Sequence, residues 1–328
     1  MQGILLLFFI CDDAIIFGQF IVTSLPVYFP LPLDLIKQNI VCSTSEIRRC
    51  AANGIKYIET LFHADAVFFF GYICSAAEHC FRNVVETLRS DSASKKRLVI
   101  VFSSPGGGVE SVEKLVRIIR YHYQEVFFVI PQEAMSAGAV FALSGDRIYM
   151  DYASSLGPID PQICRGNEWV SVMDFLDKVE RIIEKSSRFS LTDAEKIFLR
   201  NIDLAELSRC EQAKALTFDL VKKWLMEYHY RDWTVHERDF VKKGRPVTYD
   251  DKIECAHRTI EILSNKTLWR SYSRKIGIEA LKRMITLNVH DFSHDEDLSG
   301  AIHASANFVR ECFDGSDMTF IVRSKSGF

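Results

Sequence analysis

Leu98-Val99-Ile100-Val101-Phe102-Ser103-Ser104-Pro105-Gly106-Gly107-Gly108 decides the fold. Its first half is an unbroken apolar run rich in β-branched residues, and it stops at a proline and three glycines. Such a run fits a strand covered on both faces, which is the condition of a parallel sheet. The glycines make a tight turn whose backbone N–H groups stay uncovered. A second turn follows the apolar run Glu125-Val126-Phe127-Phe128-Val129-Ile130, at Ala134-Met135-Ser136-Ala137-Gly138. A serine between small residues, in a turn from strand to helix, sits where free amides favour a developing negative charge. The two turns together offer a nucleophile and an oxyanion hole, as acyl transfer requires.

The same alternation extends outward. Residues 66–73 read as a buried strand, and Ser75–Arg89 as an amphipathic helix with Ser75 and Glu78 forming a capping box. The spacing predicts strands over 97–103, 125–130 and 147–150, with helices over 109–123 and 136–144. Strands alternating with helices mean βαβ units and a mostly parallel sheet. After the turn-rich stretch 153–162 the pattern becomes helical over 170–190, 192–228 and parts of 250–313, with Thr192 and Glu195 as a second capping box. The expectation is an α/β fold of repeated βαβ units, residues 65–190, followed by an α-helical C-terminal region, residues 191–328. Residues 1–64 form an apolar N-terminal extension whose role the residues do not specify.

The composition excludes several function classes. With 328 residues, 48% apolar and 25% charged, the chain is long enough for a sizeable core. A formal net charge of −3 leaves no electrostatic footprint for nucleic acid. The nine cysteines are scattered and include no C-x-x-C pair, so neither a disulfide framework nor structural zinc is expected, and a reducing cytosol is. Residues 1–33 are apolar but carry Asp12, Asp13, Pro26, Pro30 and Pro32, which argues against a spanning helix. Packing or dimerisation is the first reading of that segment, and association with a membrane the second. His290, His294 and His303 lie among acidic residues at separations that do not form a metal site. No motif implies a metal or nucleotide cofactor.

Ser104-Pro105-Gly106-Gly107, Ala134-Met135-Ser136-Ala137-Gly138, Asp146–Asp151 and Leu156-Gly157-Pro158-Ile159-Asp160-Pro161-Gln162 resemble the Clp-protease/crotonase superfamily. Within it they resemble the serine dehydrogenase proteinase family, related to the signal peptide peptidase A enzymes. The resemblance covers residues 65–190 and continues loosely into the helical region. It implies a crotonase-like fold, a peptidase acting on polypeptides, a homo-oligomer, Ser136 as nucleophile, and the N–H groups of Gly107 and Ala137 as oxyanion donors. A Clp-type triad would place a histidine soon after the serine, but none occurs between His122 and His229. The signal peptide peptidase relatives use a Ser-Lys dyad instead. Lys178, 42 residues after Ser136, matches their lysine, with Lys185 as substitute.

A lysine base must be desolvated to be neutral near pH 7. Val172, Phe175, Leu176, Val179 and Ile182 could supply an apolar setting, whereas Asp174 and Asp177 work against it. An ordinary solvated lysine is therefore the competing reading of Lys178. Asp160 reads as a turn cap or as half of an ion pair, and Ser154 and Ser155 as groups that could orient the lysine. Two other function classes remain. An acyl-CoA hydratase or isomerase would use the glycine turn but not Ser136, and a silent scaffold would keep Ser136 without a poised base.

Overall fold

The structure is a computed structural model that describes residues 7–8, 55–90, 95–165, 168–237, 241–269, 274–313 and 319–323. Most of the N-terminal extension, including nearly all of residues 1–33, thus lies outside the described residues. In chain order the elements are β1 (Leu7–Phe8), α1 (55–62), β2 (Asp65–Phe70), α2 (Ser75–Ser90), β3 (Arg97–Ser103), α3 (Val109–His122), β4 (Glu125–Ile130), β5 (Glu133–Ala134), α4 (Ala137–Ala142), β6 (Arg147–Met150) and β7 (Ser155–Leu156). They continue with β8 (Gln162–Arg165), β9 (Glu168–Ser171), α5 (Val172–Arg188), α6 (Asp193–Arg200), α7 (Leu204–Trp224) and a π-helical turn over Leu225–His229. The last are α8 (Tyr249–Ser264), α9 (Lys266–Trp269), β10 (Ile276–Gly277), α10 (Ile278–Met284), β11 (Val289–Asp291), α11 (Glu296–Phe313) and β12 (Thr319–Arg323).

The main sheet has the order β1-β12-β2-β3-β4-β6-β11. Strands β2, β3, β4, β6 and β11 run parallel, and β12 pairs antiparallel with β2. Alternate residues of the apolar strands feed two cores. Val67, Phe69, Leu98, Ile100, Phe102, Val126 and Phe128 face α2, α3, α4 and, farther along, α7 and α8. Ala66, Phe68, Phe70, Val99, Val101, Phe127 and Val129 face α1 and α11 through Ile58, Phe62, Leu298 and Ile302. That is why these strands read as continuous apolar runs rather than alternating ones. The expected strands at 97–103, 125–130 and 147–150 and the α/β class are all present.

The C-terminal region is helical as expected but also supplies strands that its sequence did not signal. β11 extends the parallel sheet beside β6 in the register Val289↔Ile148, and β10 joins a small sheet of order β10-β7-β5. Two or three residues carry no readable period, so only tertiary pairing makes them strands. Leu220, Trp224, Ile260 and Leu263 share one core with the sheet rather than forming a core of their own. Glu78, expected to close a capping box with Ser75, pairs with Lys114 on α3 at 2.9 Å. The box at Thr192 and Glu195 forms. Among the described residues no helix is long and apolar enough to cross a membrane.

One buried histidine fastens the C-terminal region to the sheet. His229 Nδ1 lies 3.0 Å from the Gly145 carbonyl and Nε2 2.7 Å from the Asn288 N–H. The Asn288 main-chain N–H can only donate, so Nε2 accepts and Nδ1 carries the proton to the Gly145 carbonyl, giving a neutral ring. Burial pushes its pKa down to about 4. The unfolded chain therefore binds the extra proton first as pH falls below about 6.5. Stability from this site is complete above that pH and is lost toward pH 4, by up to about 3 kcal/mol. Urea unfolding between pH 7.5 and 4.5 should show this loss, and His229→Gln should flatten it. A variant that keeps the wild-type slope would remove His229 as the cause.

Candidate active site

The two glycine- and serine-bearing turns meet at the carboxyl ends of β2, β3 and β4. Ile73, just beyond β2, donates its N–H to Gly106 O at 2.9 Å and accepts from Gly108 N at 3.0 Å. That bridge turns the Gly107 N–H away from β2, and it has no acceptor among the described residues. Gly107 has φ +150°, and a Cβ there would lie 1.9 Å from Ile73 O. Only glycine fits. Ser104 bridges to Ala134, accepting from Met135 N and donating to Glu133 O, both at 2.9 Å. The turns are in contact: a Cβ on Gly106 would lie 3.1 Å from Ser136 Cβ.

Ser136 occupies φ +49°, ψ −119°, a region that non-glycine residues rarely adopt. It precedes α4, so the Ala137 N–H is one of the first-turn amides without an acceptor inside the helix. Every residue of α4 is buried. Phe141 anchors the helix among the rings of Phe69, Phe81, Phe102 and Phe128, with centroids 4.9–6.4 Å apart. Ser136 and Gly107 themselves are partly exposed, so a substrate can reach them.

The segment from β7 to α5 lies over the Ser136 turn. Gly157 N donates to Ala134 O at 2.7 Å, and Ser136 Oγ donates to Asp160 O at 2.7 Å. The buried Asp160 carboxylate accepts the Met173 N–H at 3.3 Å, while Pro161 O accepts from Val172 N at 2.9 Å. Asp160 thus caps the start of α5 with its side chain and holds Ser136 with its main chain. Ser154, expected as an orienting group, donates to Ile130 O and bonds Asp151 Oδ1 at 2.7 Å, which fixes the bend after β6.

Lys178 does not enter an apolar setting within this chain. Val172, Leu176, Val179 and Ile182 are buried on one stripe of α5, and Lys178 is exposed off that stripe. It forms no ion pair or hydrogen bond with another described residue. Lys185 bonds both Glu195 carboxylate oxygens, at 2.8 and 2.9 Å, and holds that carboxyl down at about 2. Among the histidines, His303 pairs with Asp151 at 2.7 Å and His290 stacks on Tyr149.

Sequence reasoning missed Ile73, which orients Gly107, because its bridge depends on a register more than 30 residues away. It also missed Arg120. In the last turn of α3, Arg120 donates to Asp146 at 2.7 Å and to Ser144 O, just beyond the end of α4. Helices α3 and α4, which follow the Gly107 and Ser136 turns, are therefore tied together at their far ends.

Two uncharacterized proteins of Methanocaldococcus jannaschii are 35% identical over 80 residues (24% of this chain, 28% of theirs) and 36% identical over 64 residues (20% and 22%). The chain thus spans about a quarter of the length of the curated relatives it matches. A membrane-bound stomatin-specific protease, solved with a substrate peptide, superposes with TM-score 0.41 at 13% identity, covering 80% of this chain and 91% of that one. ClpP1 from Listeria monocytogenes gives TM-score 0.38 at 13% identity, covering 74% and 98%. Residues 32–228 match the family described as ClpP-like SDH-type serine proteinase. That match is wider at both ends than the 65–190 read from the motifs, and it covers more than half of the 328 residues. This chain belongs to the ClpP-like SDH-type serine proteinase family.

Proposed function

We propose that this chain is a serine endopeptidase in which Ser136 attacks the peptide carbonyl and the N–H groups of Gly107 and Ala137 hold the oxyanion. The contact between the two turns carries the reading: it sets two unengaged amides beside one partly exposed hydroxyl. Lys178 Nζ, as a free amine, takes the Ser136 proton while Oγ bonds to the carbonyl carbon. Collapse of the tetrahedral intermediate passes that proton to the departing amine and leaves an acyl-serine. Water, deprotonated by the same amine, then releases the acid and restores the hydroxyl. The Oγ bond to Asp160 O must break first.

In this reading the exposed face of α5 that carries Lys178 is covered in the active form, which excludes water from the amine. Ile183, Phe189, Ile197 and Leu204 are exposed apolar side chains on or beside α5–α7. They offer a second copy an apolar surface, and in this reading the active form is a homo-oligomer whose neighbouring subunit also covers the Lys178 side of α5. The exposure of Lys178 also supports a second reading, a silent scaffold that keeps the serine without a base.

Fluorophosphonate labelling separates the readings. The wild-type oligomer should label at a rate that rises with pH, Ser136→Ala should not label, and Lys178→Ala should label at least about 100-fold more slowly. Unchanged labelling in Lys178→Ala would remove the dyad but keep the nucleophile. A folded oligomer that never labels would establish the scaffold.

A further inference from the structure

We propose that the depression at the amino ends of β3 and β4, at the opposite ends of these strands from Ser136, binds a small multiply charged oxyanion of the phosphate type. The space is about 620 Å³ and is bordered by Lys96, Arg120, Tyr123, Gln124, Tyr228 and Arg231. Arg120 is its floor and is only 8% exposed. The guanidinium lies over the Tyr228 ring, 3.6 Å from the centroid, and its two Nη atoms are taken by Asp146 and Ser144 O. Its Nε is buried and has no acceptor among the described residues. A desolvated donor on a cation is costly unless an acceptor reaches it, and an oxyanion supplies one.

The surrounding charges agree. Glu125 also borders the space, but it is already engaged by Arg97 at 2.6 Å. Asp146 lies behind Arg120 and is shared by Arg120 and Arg231, at 2.7 and 2.6 Å. The exposed Asp232 sits 3.7 Å from Arg231 Nε. Asp65 accepts the Tyr123 hydroxyl at 2.9 Å, so that hydroxyl is spent. Lys96 stands exposed at the lip, with no ion-pair partner among the described residues. Three cations therefore border a space that holds one carboxylate, itself paired elsewhere. A dianion there would take the Arg120 Nε–H and lie between Lys96 and Arg231, with the Tyr228 ring beside it.

Titration calorimetry of the full chain with inorganic phosphate, at ionic strength held constant with chloride, tests the site. Saturable binding is expected, weakened about 5-fold or more by Lys96→Glu, which leaves the Arg120 contacts intact. Arg120→Lys, which keeps the charge but loses the Nε–H, should weaken it similarly. A nucleoside monophosphate measures the source: tighter binding than inorganic phosphate assigns a phosphorylated metabolite, and equal binding assigns the free ion. No binding at constant ionic strength, or binding unchanged in a folded Lys96→Glu, overturns the proposal. None of these readouts uses Ser136.

Discussion

Gly107→Ala is expected to slow fluorophosphonate labelling of Ser136 by about 100- to 1000-fold, the effect of losing one oxyanion donor. The added methyl would sit 1.9 Å from Ile73 O and 2.7 Å from Ile73 C, both main-chain atoms held in the bridge to β2. No rotamer change relieves a clash with backbone. Position 107 must therefore move, and the N–H proposed as an oxyanion donor moves with it. At φ +150° the alanine is strained even without the clash, so stability should fall by about 2 kcal/mol or more. Gly108→Ala is the control. Its φ is −81°, and a Cβ there meets nothing closer than 3.7 Å, so labelling and melting should stay near wild type. If the two alanine variants behave alike, the steric account of Gly107 is wrong.

Position 136, the proposed nucleophile, should show function and stability in opposition. Ser136→Ala and Ser136→Gly both lose labelling entirely, and both lose the hydrogen bond to Asp160 O. They differ only in what φ +49° costs them. A non-glycine residue in such a region stores about 1–3 kcal/mol, while glycine adds up to about 1 kcal/mol of unfolded-chain entropy. Ser136→Gly should therefore be more stable than Ser136→Ala by about 1 kcal/mol, measured by urea unfolding at pH 7.5. A more stable alanine variant would mean that the serine backbone is relaxed and that the site keeps no strain there.

Much of this architecture was legible because its signals are local. The runs at Leu98–Ser103 and Glu125–Ile130 carry their own period, and Gly106 and Gly107, both at positive φ, state a backbone need that no other residue meets. The meeting of the glycine turn with Ser136 followed from strand order, which the βαβ spacing constrains. What escaped was set by pairing over distance. β11 is three residues long and becomes a strand only beside β6. Ile73 matters through a bridge, and Arg120 through a fold that brings the ends of α3 and α4 together. Lys178 illustrates a different limit. Its apolar neighbours in sequence are real, but helical geometry sends them to one stripe and the lysine off it. Burial of a helix is a property of a face, and a list of neighbouring residues does not say which face.

The aromatic grip on α4 has a consequence for how the sequence can drift. The helix behind Ser136 is located by volume: Phe141 fills a space shaped by four other rings from β2, α2, β3 and β4. Closely packed interiors do not absorb a missing methylene without movement. An exchange at Phe81 or Phe128, which never meets a substrate, would re-aim the serine by tilting its support. The catalytic geometry is thus inherited through packing, and the rings deep in the sheet are as bound to it as the residues at its surface.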